Sequence, residues 1–306
     1  MTWPPEIATW QALPLSELMQ QALAVKLARR GATVSLCTIA NAKSGQCSED
    51  CRFCVQSAHY ATAAPVYPLQ DCREMVAAAA EAKRIGASHF SLVTSGRGLP
   101  AQEIPQVAAM VRAIREEVGI NVCASLGILD ECALAELKAA GLSRYHHNLE
   151  SSREFFREVC TTHTFEERLA TIAAAKAVGL EVCAGGIFGL GESEDDRISM
   201  ALSLKECGVD SVPINLLIPL PGTPMADRAP LAVAEVLRAI ALYRLILPAV
   251  PIRLAAGRES VLADFLGAAF LAGADGMMIG GYLTQRGRLP AEDHRFINEL
   301  AQLWSR

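Results

Sequence analysis

Three cysteines lie close together in the chain, at Cys47, Cys51 and Cys54, separated by three and then by two residues. This spacing brings three thiolates within reach of one small inorganic cluster. A [4Fe–4S] cube has four irons, so three cysteines leave one iron without a protein ligand. The pattern therefore indicates a cluster with an open iron, at which a small molecule can bind and react.

Two other uses of these cysteines stay open from the spacing alone. They could bind zinc with a distant fourth ligand, although zinc sites usually repeat the CxxC pair and the chain has no second one. Two of them could form a disulfide, which is unfavourable in a chain without an export signal. The iron–sulfur interpretation is the one that the spacing favours.

The composition limits the class of protein. Hydrophobic residues make up 51% and charged residues 20% of the 306 residues, which provides for a sizeable core. The net charge of −5 gives no electrostatic case for nucleic acid or an anionic membrane, and no apolar run reaches the length of a membrane span. The N-terminus lacks the pattern of a signal peptide. With ten cysteines, we expect a cytoplasmic protein whose thiols are reduced or bind metal.

Short β-like runs alternate with helical stretches over most of the chain. Residues 7–30 predict a lead-in helix that Gly31 ends. We expect strands at 34–39, 89–94, 121–126, 144–149, 181–187, 211–217, 251–255 and 276–279. We expect helices at about 71–86, 102–118, 130–140, 165–178, 194–207, 231–247, 259–272 and 291–304.

Eight consecutive βα units favour a closed (βα)8 barrel of the TIM type, in the α/β class, over an open sheet. No linker divides the chain, so we expect one domain over residues 1–306. Its parts would be a lead-in at 1–30, a barrel core at 31–290 and a C-terminal helix at 291–306. The cysteine loop follows the first strand, which places it at the carboxyl end of the barrel, where active sites lie.

Six further polar residues fall at or near the ends of predicted strands. They are Cys123, Asn148, Glu150, Cys183, Asn215 and Arg253. Each alone has an ordinary structural explanation, such as a cysteine packed in the core, but six at one rim favour function. The glycine-rich run at 185–192 could bring backbone close to a flat ligand. Four other cysteines are placed on helices or outer loops as packing or surface thiols: Cys72, Cys132, Cys160 and Cys207.

Several longer stretches are more specific than the cysteine spacing: SGQCSEDCRFCVQS, VCASLGIL, RYHHNLESS, TTHTFEERL, EVCAGGIFGLGES, SVPINLLIPLPGTPM and IRLAAGRES. With them, the chain resembles the biotin synthase family of radical S-adenosylmethionine (SAM) enzymes from about residue 30 to residue 290. The resemblance implies a radical SAM barrel in which SAM binds the open iron and is cleaved to a 5′-deoxyadenosyl radical. That radical removes hydrogens from dethiobiotin, and sulfur from an auxiliary iron–sulfur cluster is inserted to give biotin.

The resemblance also implies residue roles at the SAM site. The matches to the [4Fe–4S] ligands are Cys47, Cys51 and Cys54. Phe53 matches an aromatic residue beside the adenine, and Arg168 matches an arginine near the methionine carboxylate. Glu150 stands where the family has an aspartate that binds the ribose. No residue is implied as an acid or base, because the cofactors carry the chemistry.

At the substrate and the auxiliary cluster, one position departs from the family. Asn148 and Asn215 match asparagines around the ureido ring of dethiobiotin, which an amide can both donate to and accept from. The matches to the ligands of the family's [2Fe–2S] centre are Cys123, Cys183 and Arg253. The fourth position, cysteine in the family, is Ser91, a hard oxygen ligand where iron prefers thiolate. A lesser departure is His146, where the family tends to have asparagine.

Four accounts of Ser91 remain open from the sequence. The auxiliary cluster could be a larger variant with an exchangeable sulfide and fewer protein ligands. Cys37, on the neighbouring first strand, could replace the missing cysteine. The second cluster could be lost, or serine could ligate a [2Fe–2S] centre.

The resemblance also implies partners, namely dethiobiotin, a flavodoxin or ferredoxin as electron donor, and a second copy of the chain in a homodimer. Two rival functions stay open. One is a radical SAM maturase or lyase on the same barrel without sulfur insertion, and the other is a zinc- or cluster-binding scaffold without turnover.

Overall fold

Nine parallel strands form one curled sheet in the computed structural model, which describes residues 3–283 and 287–304. The strands are β1 Ser35–Lys43, β2 His89–Thr94, β3 Asn121–Ser125, β4 Arg144–His146, β5 Glu181–Cys183, β6 Gly186–Phe188, β7 Val212–Leu216, β8 Ile252–Leu254 and β9 Gly276–Met278. Their order in the sheet is β5-β4-β3-β2-β1-β9-β8-β7-β6. The two edge strands, β5 and β6, are therefore neighbours in the sequence.

β5 and β6 are two halves of one strand position in the barrel. Backbone hydrogen bonds join this position to the chain on the β4 side and on the β7 side, which closes the ring. Leu149 N donates to Gly185 O at 2.9 Å, and Ala184 N donates to Ser211 O at 3.0 Å. A Cβ at Gly185 would lie 1.9 Å from Pro213 O, so only glycine permits this close approach. The fold is thus the expected TIM-type α/β barrel with eight strand positions.

In the described part of the chain, ten α-helices accompany the strands: α1 Pro5–Ala12, α2 Leu15–Arg30, α3 Cys72–Arg84, α4 Ile104–Ala113, α5 Glu131–Ala139, α6 Phe165–Ala177, α7 Glu194–Glu206, α8 Val233–Ile246, α9 Leu266–Leu271 and α10 Pro290–Gln302. Local sequence sets several boundaries. Thr164 and Ser193 begin α6 and α7 with capping boxes, in which each hydroxyl accepts from the backbone three residues on. Among the described residues, no helix combines the length and apolar character needed to cross a bilayer.

Two helix predictions were wrong in detail. The lead-in of residues 7–30 is not one helix, because Pro14 forces the residue before it, Leu13, into an extended conformation and separates α1 from α2. The helix expected over 259–272 is not continuous: a π-helical turn over Arg258–Leu262 and a 3₁₀ turn over Ala263–Phe265 precede α9. Ala263, where these two turns meet, has a φ of 44°, which a right-handed helix does not allow. The division into lead-in, barrel core and C-terminal helix stays a prediction, and its ends at 1–2 and 305–306 lie outside the described residues.

The alternation of each strand sends one set of side chains into the barrel and the other against the helices. On β2, His89, Ser91 and Val93 face the interior cavity, whereas Phe90 and Leu92 are buried on the outside. α3 packs there against β1 and β2. The polar residues inside the barrel therefore point toward one shared space.

A buried ion-pair network holds the amino-terminal end of the barrel. The Asp275 carboxylate, just before β9, accepts from Arg244 Nη2 and Arg30 Nε, both at 2.9 Å, and from Ile252 N at 2.9 Å. Arg244 is 0% exposed. The buried Arg244 needs the Asp275 carboxylate as its partner, because an unpaired buried charge is strongly unfavourable.

We expect Asp275→Ala to lower the free energy of unfolding by about 3–5 kcal/mol, because it leaves Arg244 buried without a counter-charge. Anaerobic urea denaturation followed by circular dichroism measures the change. The control is Glu81→Ala, which removes the exposed Arg84–Glu81 pair on α3 and should leave the unfolding curve in place. Equal midpoints for the two variants would contradict this account of the network.

Candidate active site

The loop after β1 presents the three predicted cluster cysteines in a fixed conformation. Cys47 N donates to Gln56 O at 3.0 Å, and Ala58 N donates to Cys47 O at 2.8 Å, which closes the loop on itself. The Gln56 Oε1 atom accepts from Ser44 Oγ at 3.1 Å and from Gly45 N at 3.3 Å. A loop tied at its base in this way holds its thiols in place before any metal arrives.

The donor set of this loop fits an iron–sulfur cube with one open corner. Burial raises the pKa of Cys54 to about 11, and burial is also the main cause that raises the pKa of Cys47. The thiols are therefore protonated at neutral pH until a metal displaces the protons. Soft sulfur is the ligand that iron–sulfur clusters use, and the three cysteines supply it from one loop.

A fourth cysteine lies beside this loop, which corrects the prediction that Cys160 is a remote packing thiol. The segment after β4 folds over the cysteine loop, so Cys160 Sγ lies 3.1 Å from Asp50 Oδ1 and 3.2 Å from His163 Nδ1. The ligand atoms of Cys51, Cys160 and His163 lie within 4.8 Å of one another. Hydrogen bonding from the Cys51 thiol is the main cause that lowers the pKa of Cys160 to about 4. The sequence contained one signal for this location: Cys160 follows the strand predicted at 144–149, so it lies at the same end of the barrel as the cysteine loop.

A cavity of about 370 Å³ opens below the loop and runs into the barrel. Five of the predicted site residues line it near the mouth: Phe53, Cys54, Asn148, Glu150 and Asn215. Arg168, on α6, lies behind this wall, where its Nη1 atom donates to Asn148 O at 2.8 Å and is 3.7 Å from Glu150 Oε1. The fold thus brings the residues with predicted SAM and substrate roles to one wall.

Asn148 is hydrogen-bonded to Glu150 and to Gly185, which lies between β5 and β6. Asn148 Nδ2 donates to Glu150 Oε2 at 3.2 Å, and Asn148 Oδ1 accepts from Gly185 N at 3.1 Å. Glu150 has a φ of 67°, a conformation that is unfavourable for a side-chain-bearing residue and is typical of functional sites. Asn215 is fixed in a similar way, since Nδ2 donates to Gly186 O and Oδ1 accepts from Ala256 N, both at 3.2 Å. Each amide keeps one further donor and one further acceptor position for a ligand.

The glycine-rich run after β5 forms a wall beside Phe53. Glu192 Oε1 accepts from Gly189 N at 2.9 Å, and Arg197 Nη1 donates to the same oxygen at 2.8 Å. Phe53 packs against an apolar group made of Val159, Ile187, Leu190, Leu217 and Met225. A flat apolar ring of a ligand can pack against such a surface.

Three cysteines meet deeper in the barrel, around two arginines. Cys37, Cys123 and Cys183 line the cavity together with Arg144 and Arg253. Burial raises the pKa of Cys123 to about 12, while Arg144 is the largest opposing influence and Cys183 and Cys37 also act on it. These five side chains form what we call the inner thiol group.

Arg253 has an unused donor inside this inner thiol group. Its Nε atom donates to Ser211 Oγ at 3.0 Å, but its buried Nη1 atom has no hydrogen-bond partner. A buried unpartnered donor next to three thiols fits a bound anionic group such as an iron–sulfur cluster. The donor chemistry therefore fits an auxiliary cluster as well.

Ser91 and Cys37 occupy different levels of the barrel wall. Ser91 is in register with Cys123 on one side and with Ile39 on the other, whereas Cys37 is in register with His89. Burial raises the pKa of Cys37, and the charge of Arg253 opposes that rise. Cys37 thus lines the same cavity as Arg253, Cys123 and Cys183. This location is consistent with one of the alternatives left open by the sequence, in which Cys37 replaces the missing cysteine.

Arg144 was missed by the sequence reasoning. It begins β4, faces the interior in register with Cys123, and pairs with Glu181 through two hydrogen bonds at 2.9 and 2.6 Å. Two half-buried histidines face the same space: desolvation lowers the pKa of His89 to about 4 and also lowers that of His146. Both are therefore neutral at physiological pH, and the arginines carry the positive charge of the inner cavity.

Two family profiles match nearly the whole barrel. The profile of the radical SAM superfamily matches residues 43–204. The profile of the biotin and thiamin synthesis associated domain matches residues 213–301. Together they include the cysteine loop and most of the residues that line the cavity, whereas Cys37 on β1 lies before the first match.

Curated relatives over most of the chain are biotin synthases. The chain is 52% identical over 267 residues to the biotin synthase of Heliobacterium modesticaldum, which covers 87% of this chain and 82% of the relative. It is 49% identical over 286 residues to the biotin synthase of Pelotomaculum thermopropionicum, covering 94% and 89%. A biotin synthase of Thermotoga petrophila is 49% identical over 271 residues, covering 88% and 90%.

Solved structures with the same fold are more distant in sequence. Methylornithine synthase (PylB) has a TM-score of 0.82 at 20% identity, covering 96% of this chain and 91% of that one. The FeFe-hydrogenase maturase HydG from Carboxydothermus hydrogenoformans also has a TM-score of 0.82 at 20% identity, covering 96% and 73%. At this identity the likeness concerns the fold alone.

Proposed function

The chain belongs to the biotin synthase family of radical SAM enzymes, which convert dethiobiotin to biotin by inserting sulfur, and on that premise we propose how its residues divide this work. The outer end of the cavity would hold a [4Fe–4S] cluster and SAM. The inner thiol group would hold the auxiliary cluster that supplies sulfur. Dethiobiotin would lie between them.

At the outer end, Cys47, Cys51 and Cys54 are the proposed ligands of the [4Fe–4S] cluster. Their common loop supports this, because it presents three soft sulfur donors together and leaves the fourth iron of the cube open. When bound, the cluster and SAM supply one electron and a 5′-deoxyadenosyl radical.

Three residues near the mouth are proposed to bind SAM. Phe53 supplies an aromatic face beside the glycine-rich wall, which suits the adenine. Glu150 presents a carboxylate to the cavity, which can accept hydrogen bonds from two ribose hydroxyls. Arg168 supplies a charge-assisted partner for the methionine carboxylate from behind Asn148.

Asn148 and Asn215 are proposed to orient the ureido ring of dethiobiotin. Both side chains line the cavity, and backbone contacts fix their amide planes. An oriented amide can donate to the ureido oxygen and accept from a ureido N–H. The enclosing barrel wall keeps water away from the reacting carbons.

For the auxiliary cluster we propose the ligands Cys37, Cys123 and Cys183, with Arg253 as the fourth contact. The cavity that the three thiols line together and the unpartnered Arg253 Nη1 support this assignment. Ser91 is then no ligand, since a hydroxyl competes poorly with a thiolate for iron. The auxiliary centre is an iron–sulfur cluster of [2Fe–2S] or variant type.

The single observation that carries this proposal is the presence of two separate thiol groups at the two ends of one cavity. The test is anaerobic incubation with SAM, a reductant and dethiobiotin, read by mass spectrometry. We expect biotin and deoxyadenosine together, and more iron per chain than one cube holds. Deoxyadenosine without biotin would contradict sulfur insertion and would favour a maturase or lyase reaction on the same barrel.

Three further features are proposed from the family resemblance alone. They are a cytoplasmic location, a homodimer, and a flavodoxin or ferredoxin as the electron donor. Sedimentation of the purified enzyme tests the second, and reduction of the enzyme by each donor protein tests the third.

A further inference from the structure

A chain of three buried side chains links the cysteine loop to the end of β4. Glu49 lies between Cys47 and Cys51 in the loop, and its Oε2 atom is hydrogen-bonded to His163 Nδ1. His163 Nε2 lies 3.0 Å from Arg168 Nε. Glu49 and His163 are each 6% exposed and Arg168 is 8% exposed, so water does not compete for these contacts.

The proton positions in this chain follow from the chemistry of arginine. A guanidinium has donors only and stays protonated, so His163 Nε2 must accept from Arg168 Nε. The imidazole proton then lies on Nδ1, which donates to the Glu49 carboxylate and also lies 3.2 Å from Cys160 Sγ. Thr162 Oγ1 donates to the same carboxylate oxygen at 2.9 Å and holds it in place.

The contacts on Arg168 leave its orientation little freedom. Its Nη1 atom donates to Asn148 O at 2.8 Å, and the Phe156 ring lies 5.4 Å from the guanidinium carbon. His163 fixes the Nε edge. Within the described part of the chain, Nη2 makes no hydrogen bond, which leaves it for a ligand.

We propose that His163 and Glu49 are positioning residues for SAM: they hold the Arg168 guanidinium and thereby join the cysteine loop to the group that binds the SAM carboxylate. This inference rests on the proposed function, because it takes Arg168 as a SAM-binding residue. Its physical basis is preorganisation, since an arginine already held in its binding orientation loses less freedom when the ligand arrives.

The test uses the reconstituted holoenzyme under anaerobic conditions. It compares His163→Ala, His163→Gln and Glu49→Gln with the control His59→Ala, an exposed histidine whose ring contacts Ser48 O in the same loop. The readouts are KM for SAM and kcat in deoxyadenosine formation, iron content, and the electron paramagnetic resonance signal of the reduced cluster with and without SAM.

We expect His163→Ala to raise KM for SAM about tenfold or more, the usual effect of losing a hydrogen bond to a charged group. kcat at saturating SAM and iron content should stay near wild type. His163→Gln should restore most of the affinity, because its amide can accept from Arg168 and donate to Glu49. Glu49→Gln should fall between wild type and His163→Ala, and His59→Ala should match wild type.

Two results would overturn the inference. One is an unchanged KM for SAM in His163→Ala, and the other is a loss of iron in proportion to the loss of activity, which would make His163 a support of the loop only. Arg168→Ala separates this failure from that of the proposed function. If Arg168→Ala raises KM and His163→Ala does not, the positioning role fails and the SAM site stands. If neither raises KM, the assignment of Arg168 itself fails.

Discussion

Replacing Cys51 with alanine is expected to abolish deoxyadenosine formation. The loop supplies three cysteines to one cube, and a cube held by two of them loses its fixed orientation toward the cavity. The loss should exceed the roughly 10–100-fold that removing a residue outside the ligand set costs a metal site. Anaerobic assays of deoxyadenosine by mass spectrometry, with iron counted per chain, measure the effect.

The matched control is Cys132→Ala, which removes an exposed thiol on α5. That variant should keep wild-type iron content and deoxyadenosine formation. Cys160 lies close enough to Cys51 to test whether it can substitute, so Cys51→Ala is also compared with the double variant Cys51→Ala/Cys160→Ala. Residual activity in the single variant that disappears in the double one would show that Cys160 replaces Cys51 and that the three-cysteine assignment is incomplete.

The barrel could be predicted from the sequence because its signals are local. Short β-like runs alternate with helical stretches along the chain, and helix ends such as that before Gly31 are set by a glycine with φ of 73°. The wrong details also have local causes that were readable, since Pro14 marks the break between α1 and α2. The split of the fifth strand depends instead on the close approach of Gly185 to Pro213, which is a tertiary contact and leaves no periodic trace.

The candidate site was predictable where residue type and strand position sufficed, and not where a loop had to be folded. Asn148, Glu150 and Asn215 follow from strand ends, and the cavity brings them together. Cys160 was misplaced because its position depends on how the segment after β4 bends over Asp50. Arg144 was missed because its inward direction depends on register with Cys123, which the order of residues alone does not fix.

The two thiol groups predict two separable activities. We expect Cys183→Ala and Cys37→Ala to keep deoxyadenosine formation within about threefold of wild type, because changes at distant, independent sites act separately. Biotin formation should fall to background in both, since the inner thiol group then lacks a ligand for the sulfur-supplying cluster. Iron and sulfide per chain should fall to the content of one cube. Mass spectrometry of both products and metal analysis of the same samples give the measurement.

Ser91→Ala is the matched control, because Ser91 lines the same cavity two residues along the wall from the level of Cys37. It should keep the iron content and the biotin formation of the wild type, since a hydroxyl is a poor substitute for thiolate on iron. The reverse pattern, in which Ser91→Ala loses the auxiliary iron and Cys37→Ala keeps it, would make the serine the ligand and Cys37 a core residue. If Cys183→Ala stops deoxyadenosine formation as fully as Cys51→Ala does, the two thiol groups do not act independently. The inner group would then support SAM cleavage itself, and the division of the cavity into an outer radical site and an inner sulfur site would be wrong.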